Sequence, residues 1–261
     1  MNRLAFFFLP LGLCFFVPSG TAAQNETVLQ KADSAIRQGF PSAVKKPLEK
    51  IVADQKAPLA NRQAALERLA QAHLLSGTPE EALPLFRSVP PTPALDFWKA
   101  QLLLAKGEAN EAFAAFLSAA DAPGHPFQSE AKIGAARSLF RRQQPGDLAR
   151  AAELLSAIPP ESPLRHQASL DLAQLYLDQG MAEKAVASLG SISEMPARNQ
   201  MQHNYLLALA QFALGDFDAA KNTLEKTASF SATPPEKITI LKADCLNETG
   251  FPDRAIDLLE E

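Results

Sequence analysis

Apolar residues along this chain fall at helical spacing, in short stretches that come in pairs. Leu66, Leu69, Ala70 and Leu74 share one helix face, and so do Leu172, Ala173, Leu175 and Tyr176. Each first stretch ends near a glycine, after which a second periodic stretch begins. Gly39, Gly77, Gly107, Gly146, Gly180, Gly215 and Gly250 recur at steps of 38, 30, 39, 34, 35 and 35 residues. A small or β-branched residue follows most of these glycines closely: Val44, Ala82, Ala112, Ala151 or Ala152, Ala185, Ala220 and Ala255. Prolines such as Pro58, Pro90, Pro123, Pro159, Pro196 and Pro234 then close most units. The pattern predicts one helical hairpin repeated along the chain. Glycine ends the first helix at positive φ, and proline stops the second. Thr78-Pro79-Glu80-Glu81 reads as a capping box with proline at the first helical position. Pro47 and Pro84 fall inside second helices and predict local bends.

In register, these hairpins resemble the tetratricopeptide repeat family. The fifth supplies Leu172, Ala173, Tyr176, Gly180, Ala185, Leu189 and Pro196. The sixth supplies Leu207, Ala208, Gly215, Ala220, Leu224 and Pro234. The second has Leu69, Ala70, Gly77, Ala82, Phe86 and Pro91, and the third Ala100, Leu103, Gly107, Ala112 and Phe116. The first and fourth depart further, the fourth through a three-residue extension before Gly146. The resemblance covers residues 26–261 and implies an all-α fold, a right-handed superhelical solenoid of about seven antiparallel helix-turn-helix repeats. Approximate repeats span 25–58, 59–92, 93–125, 126–161, 162–196, 197–233 and 234–261, the last incomplete. Ala70, Ala100, Ala136, Ala173, Ala208 and Ala243 let paired helices approach, while Phe86, Phe116 and Leu155 fill the gap to the next hairpin.

The resemblance also implies where a partner would lie, on the concave face formed by first helices. Carried onto this chain, the positions are Phe97, Gln101 and Leu104, then Arg137, Phe140 and Arg141, then Gln174 and Leu177, then Tyr205 and Phe212, with Ile133 and Leu170 beside them. Apolar groups mixed with amides and arginines suit an extended peptide. A plainer reading makes many of them inter-repeat core. The Lys and Asn set with which some family members clamp a terminal carboxylate is missing, so no such clamp is expected.

Met1-Asn2-Arg3, the apolar run Leu4 to Val17 and the small residues up to Ala23 follow the order of a cleaved secretory signal peptide, residues 1–23. The run is short for a membrane span. Leu13 before Cys14 argues against lipidation there. Cleavage before Gln24 removes Arg3 and leaves 24 basic against 29 acidic residues, a mild −5. That balance disfavours broad nucleic-acid binding. The alanine-rich chain and short leader read as bacterial, with the periplasm as destination and secretion as second choice. Cys245 is then the one cysteine left, so no internal disulfide forms. It reads as a buried small residue.

His73, His125, His166 and His203 show no metal-ligand spacing, and no nucleophile elbow or phosphate-binding glycine loop occurs. No catalytic residue, metal or cofactor is expected. Lys132, Arg137, Arg141, Arg142 and Arg150 cluster near the extended fourth turn, as a solvated face or a grip on an acidic partner. The expected function is a protein-interaction scaffold that takes a partner protein or extended peptide in envelope assembly. The alternative is the N-terminal module of a longer exported enzyme or envelope machine, since the last hairpin lacks a polar cap after Leu258 and Leu259, an end that continuing chain or a partner would cover. A polysaccharide binder is disfavoured by a supply of only Trp98, Tyr176 and Tyr205 for exposed stacking.

Overall fold

The computed structural model describes residues 20–190, 197–229 and 236–260. Among them every regular element is helical, and the helices pair into seven hairpins. Two units are resolved, one running to Pro90 and the other from Pro91. In the first unit, α1 (Gly20–Arg37) pairs with a 3-10 segment (Pro41–Val44) that runs into α2 (Lys45–Ala53), and α3 (Leu59–Leu75) pairs with α4 (Pro79–Ala82) and a 3-10 segment (Leu83–Ser88). The second unit pairs α5 (Pro93–Lys106) with α6 (Ala109–Ala120), α7 (Gln128–Arg142) with α8 (Asp147–Ser156), and α9 (Arg165–Asp178) with α10 (Ala182–Gly190). It continues with α11 (Ala197–Ala213) and α12 (Phe217–Glu225), then α13 (Glu236–Glu248) and α14 (Pro252–Glu260). The result is an all-α solenoid class of fold with about seven helix-turn-helix repeats. No described helix is long and apolar enough to cross a membrane. The expected leader lies mostly outside the described residues, and its last residues, from Gly20, open α1.

All seven glycines of the recurring pattern sit at positive φ. Gly107 shows why: at φ 94° it ends α5, and the next amide, Glu108, donates to the Leu103 carbonyl at 2.9 Å. A side chain in that left-handed conformation costs about 1–2 kcal/mol. The expected small residues are buried, with Ala70, Ala100, Ala173 and Ala208 each 0% exposed. Phe116 and Leu155 fill the gaps as expected, but Phe86 is only half-buried. Pro84 is the cause. It turns the second helix of hairpin two into one α turn followed by a 3-10 segment, which points Phe86 away from the α register. Pro47 acts more mildly: it stands in the first turn of α2, where its missing N–H has no intrahelical acceptor to lose.

The capping box at Thr78 does not form. Thr78 makes no side-chain cap to its helix, although Pro79 does stand at the first helical position. Its hydroxyl lies 2.9 Å from His73 Nδ1 and accepts from Lys45 Nζ at 2.9 Å. A bond reaching 33 residues back has displaced the local one.

One device recurs at four junctions. A polar side chain near the start of a first helix reaches back to carbonyls closing the previous second helix, which lack intrahelical donors. Arg62 Nε donates to Val52 O at 3.0 Å, and Gln128 Nε2 donates to Ala120 O at 2.9 Å. Arg165 donates to Ile158 O at 2.9 Å, and His203 Nε2 approaches Leu189 O at 3.4 Å. Gly134, inside α7, adds a close approach: a Cβ there would run into the fully buried Phe116 ring.

Candidate functional site on the first-helix face

Within the second unit, first helices α7, α9 and α11, with Leu155 of α8 beneath them, present side chains to a shared cavity of about 150 Å³. Ala136, Leu155 and Leu175 form its buried floor, and Phe140 forms one wall. Arg137, Asp171, Gln174 and Gln202 make the polar lining. Helical periodicity sets this up: Arg137 and Phe140 are three apart on α7, and Asp171 and Gln174 three apart on α9, so each pair shares a face. Arg137 straps α7 to α9, with Nε 2.7 Å from Asp171 Oδ2 and a second nitrogen 3.1 Å from Oδ1. Its side chain is half exposed, so the pair contributes at most about 1 kcal/mol. Gln167 also donates to Asp171 at 2.8 Å, which holds the carboxylate in place.

A second cleft of about 440 Å³ adjoins the first and shares Phe140 with it. It lies where the turn of hairpin four meets the end of α9. Leu139 and Leu148 supply apolar surface, and Gln143, Gln144, Gln179 and Asp178 supply polar groups. The irregular turn creates the opening. Here the residue closing α7 is Gln143, the one non-glycine at positive φ among the described residues, and Gly146 instead starts α8. Asp147 fastens this longer turn. It is buried and accepts from Arg142 through both carboxylate oxygens and from the Gln144 amide at 2.9 Å. The hydrogen bonds from Arg142 hold its carboxyl below the usual carboxylate range.

The ten residues expected from sequence separate into distinct groups. Arg137, Phe140 and Gln174 come together at the smaller cavity. Phe97 is instead core, 4% exposed, stacked on Phe127 at 4.7 Å and edge-on to Trp98 and Phe116. Leu177, Tyr205 and Phe212 are half-buried against the cores of hairpins five to seven. Gln101 and Leu104 are half-buried on α5 and line neither cavity. Of their neighbours, Ile133 and Leu170 are buried. Arg141 is exposed and donates to the Leu104 carbonyl at 2.8 Å.

The rest of the arginine cluster is likewise engaged within the chain. Arg142 holds Asp147, and Arg142 and Arg150 flank the Phe113 ring at 5.1 and 4.8 Å. Lys132 reaches Ala157 O at 3.4 Å. Sequence reasoning missed Asp171, Gln202 and Asp178. The three-residue spacing from Gln174 was the available signal for Asp171; nothing local marked Gln202.

Chemistry beyond binding has little to stand on in the described residues. No group of three His, Cys, Asp or Glu is placed to hold a metal. Cys245 is fully buried, and burial raises its thiol above the ordinary value, the opposite of an activated nucleophile.

Comparison with known proteins agrees with the hairpin geometry. The tetratricopeptide repeat model matches residues 63–88, 166–190 and 201–226. The fold is a tetratricopeptide-like repeat array. A crystal structure of a tetratricopeptide repeat protein from Parabacteroides merdae superposes with a TM-score of 0.64 at 19% identity, covering 91% of each chain. The C-terminal part of a repeat protein from Cytophaga hutchinsonii gives 0.64 at 16% identity, covering 88% of this chain and 93% of that one. The APC/C hetero-tetramer Cut9-Hcn1 contains a chain matched with a TM-score of 0.62 at 15% identity, over 92% of this chain and 48% of that one. No curated protein matches the sequence.

Proposed function

We propose that this tetratricopeptide-like protein is a non-catalytic scaffold that holds an extended segment of a partner protein on the first-helix face of hairpins four to six. The observation that carries the reading is the cavity of about 150 Å³ at which Arg137, Phe140 and Gln174 converge. Its floor is apolar and its rim is amide and ion pair, a combination that can bury one side chain while satisfying a peptide backbone. The fold's occurrence in a hetero-tetramer fits this reading. The test is a photocrosslinking amino acid in place of Gln174 in the native host, with and without Phe140→Ala. A discrete crosslinked protein that fades with Phe140→Ala is expected; equal yields from both proteins, or none, would refute the reading.

The proposal extends to location. Residues 1–23 direct the chain out of the cytoplasm to a bacterial periplasm, where the partner is an envelope protein. Intact mass of the protein recovered from the host should place its first residue at Gln24; a chain that keeps Met1 to Ala23 would refute export by cleavage.

A further inference from the structure

The two clefts that meet at Phe140 differ in chemistry, and the difference specifies a ligand. The smaller one has an apolar floor and about 150 Å³ of space, a volume that accepts a benzene-sized group. The larger, at about 440 Å³, is lined with three glutamine amides and the Asp178 carboxylate. Asp178 is exposed and accepts from Gln174 Nε2 at 2.8 Å. No described cation pairs with it. The neighbouring arginines are turned to other work: Arg137 is bound to Asp171, Arg142 to Asp147, and Arg141 to the Leu104 carbonyl on α5. Asp178 is therefore an acceptor left open in a cleft with carboxamide donors and acceptors around it. Phe140 lines both clefts, and Gln174, on the rim of the apolar cavity, donates to this acceptor, so the two sites adjoin.

Resting on the peptide-scaffold reading above, we infer that the partner segment carries an apolar side chain for the smaller cavity and, two residues away, a lysine or arginine for the Asp178 cleft. In an extended chain, side chains two apart point the same way about 7 Å from each other. That step lets a peptide straddle one ring. The cation meets Asp178, and the glutamine amides of residues 143, 144 and 179 receive its remaining donors or the adjacent backbone. This preference is opposite in sign to what the arginine cluster, read from sequence alone, would select.

The test is selection of a random dodecapeptide display library on the full chain, followed by affinities of synthetic winners. Enrichment of an apolar residue two positions from Lys or Arg is expected, in either order. Asp178→Asn should weaken those peptides about tenfold and remove most of their salt dependence. Peptides that bind without a basic residue, or that tolerate Asp178→Asn, would overturn this specificity and leave the scaffold reading standing. A library from which no peptide is enriched would overturn both. Phe140→Ala, which removes the wall the clefts share, should bind more weakly and relax the two-residue spacing among the peptides it still selects, and an unchanged spacing would also count against the inference.

Discussion

Hairpins two and three share one written pattern and are held together by different physics. Gly77, Ala82 and Phe86 in the second match Gly107, Ala112 and Phe116 in the third, position for position. In hairpin three the second helix is a continuous α6, and Phe116 is fully buried against the bare backbone of Gly134. Pro84 breaks the equivalent helix of hairpin two, and Phe86 is left half exposed. Polar side chains supply what the lost apolar contact would have given. Arg62 is 7% exposed and bonds to carbonyls at Val52 and Ser88, closing the second helices of both hairpins in its unit. Arg68 ties α3 to Asp33 on α1 at 2.8 Å, and the His73, Thr78 and Lys45 set joins the turn to α2. An identical repeat signature therefore says little about what stabilises a given repeat; a single proline changes the answer.

The largest effect expected from this contrast is in the paired truncations. Phe116→Ala should cost about 3–5 kcal/mol, as for other buried aromatics. Phe86→Ala should cost about 1 kcal/mol, in line with the smaller area it buries. Urea unfolding followed by circular dichroism measures both, and equal costs would dissolve the distinction. Next come Arg62→Met and Gly134→Ala, each expected to cost about 2 kcal/mol for opposite reasons. The first strands two carbonyls, and the second forces a methyl into the Phe116 ring. Adding Phe116→Leu should rescue Gly134→Ala and do nothing for Arg62→Met. Smaller again is Pro84→Ala. It should extend α4, draw Phe86 inward and stabilise the first unit by about 1 kcal/mol, with a gain in helical ellipticity.

The smallest expected effect is in pH dependence. Burial, then Lys45, pushes His73 below its ordinary value, against the opposing pull of Glu81, the Thr78 carbonyl and Glu49. The unfolded chain therefore takes up a proton first. Stability contributed at neutral pH declines as pH falls below about 6.5. Asp147 in the second unit is also lowered, so its contribution holds until pH falls below about 3.9 and disappears through its lower folded value. Unfolding midpoints between pH 7.5 and 5 should drift for the wild type, and drift less for His73→Gln.

The hairpin plan was legible because it is written locally. Helical spacing and turn glycines each act over a few residues, and six of the seven glycines follow a first helix as expected; Gly146 is the exception, since Gln143 closes α7, and the expected closing residues Pro196 and Pro234 lie outside the described residues. What the sequence hid depends on residues far apart. Thr78 looks like a cap until Lys45, 33 positions earlier, takes its hydroxyl. Phe97 occupies a groove position in the repeat pattern, but Phe127, in a connection without periodicity, stacks over it. The site divides in the same way. Arg137, Phe140 and Gln174 follow from face and register, whereas Gln202 joins them through the stacking of α11, which no local pattern encodes. Gly134 did leave a trace, as a glycine inside a helical pattern, the kind of position where close packing is to be looked for.

The side chains that reach back from one hairpin to the open end of the hairpin before it set a limit on modularity. Arg62, Gln128, Arg165 and His203 make four junctions directional: the later hairpin carries the donor and the earlier one carries the need. A hairpin cut out and grafted elsewhere would bring a donor with nothing to meet and leave a helix end unclosed behind it. Shuffling or duplication in this chain therefore travels best in blocks whose breakpoints keep donor and acceptor together.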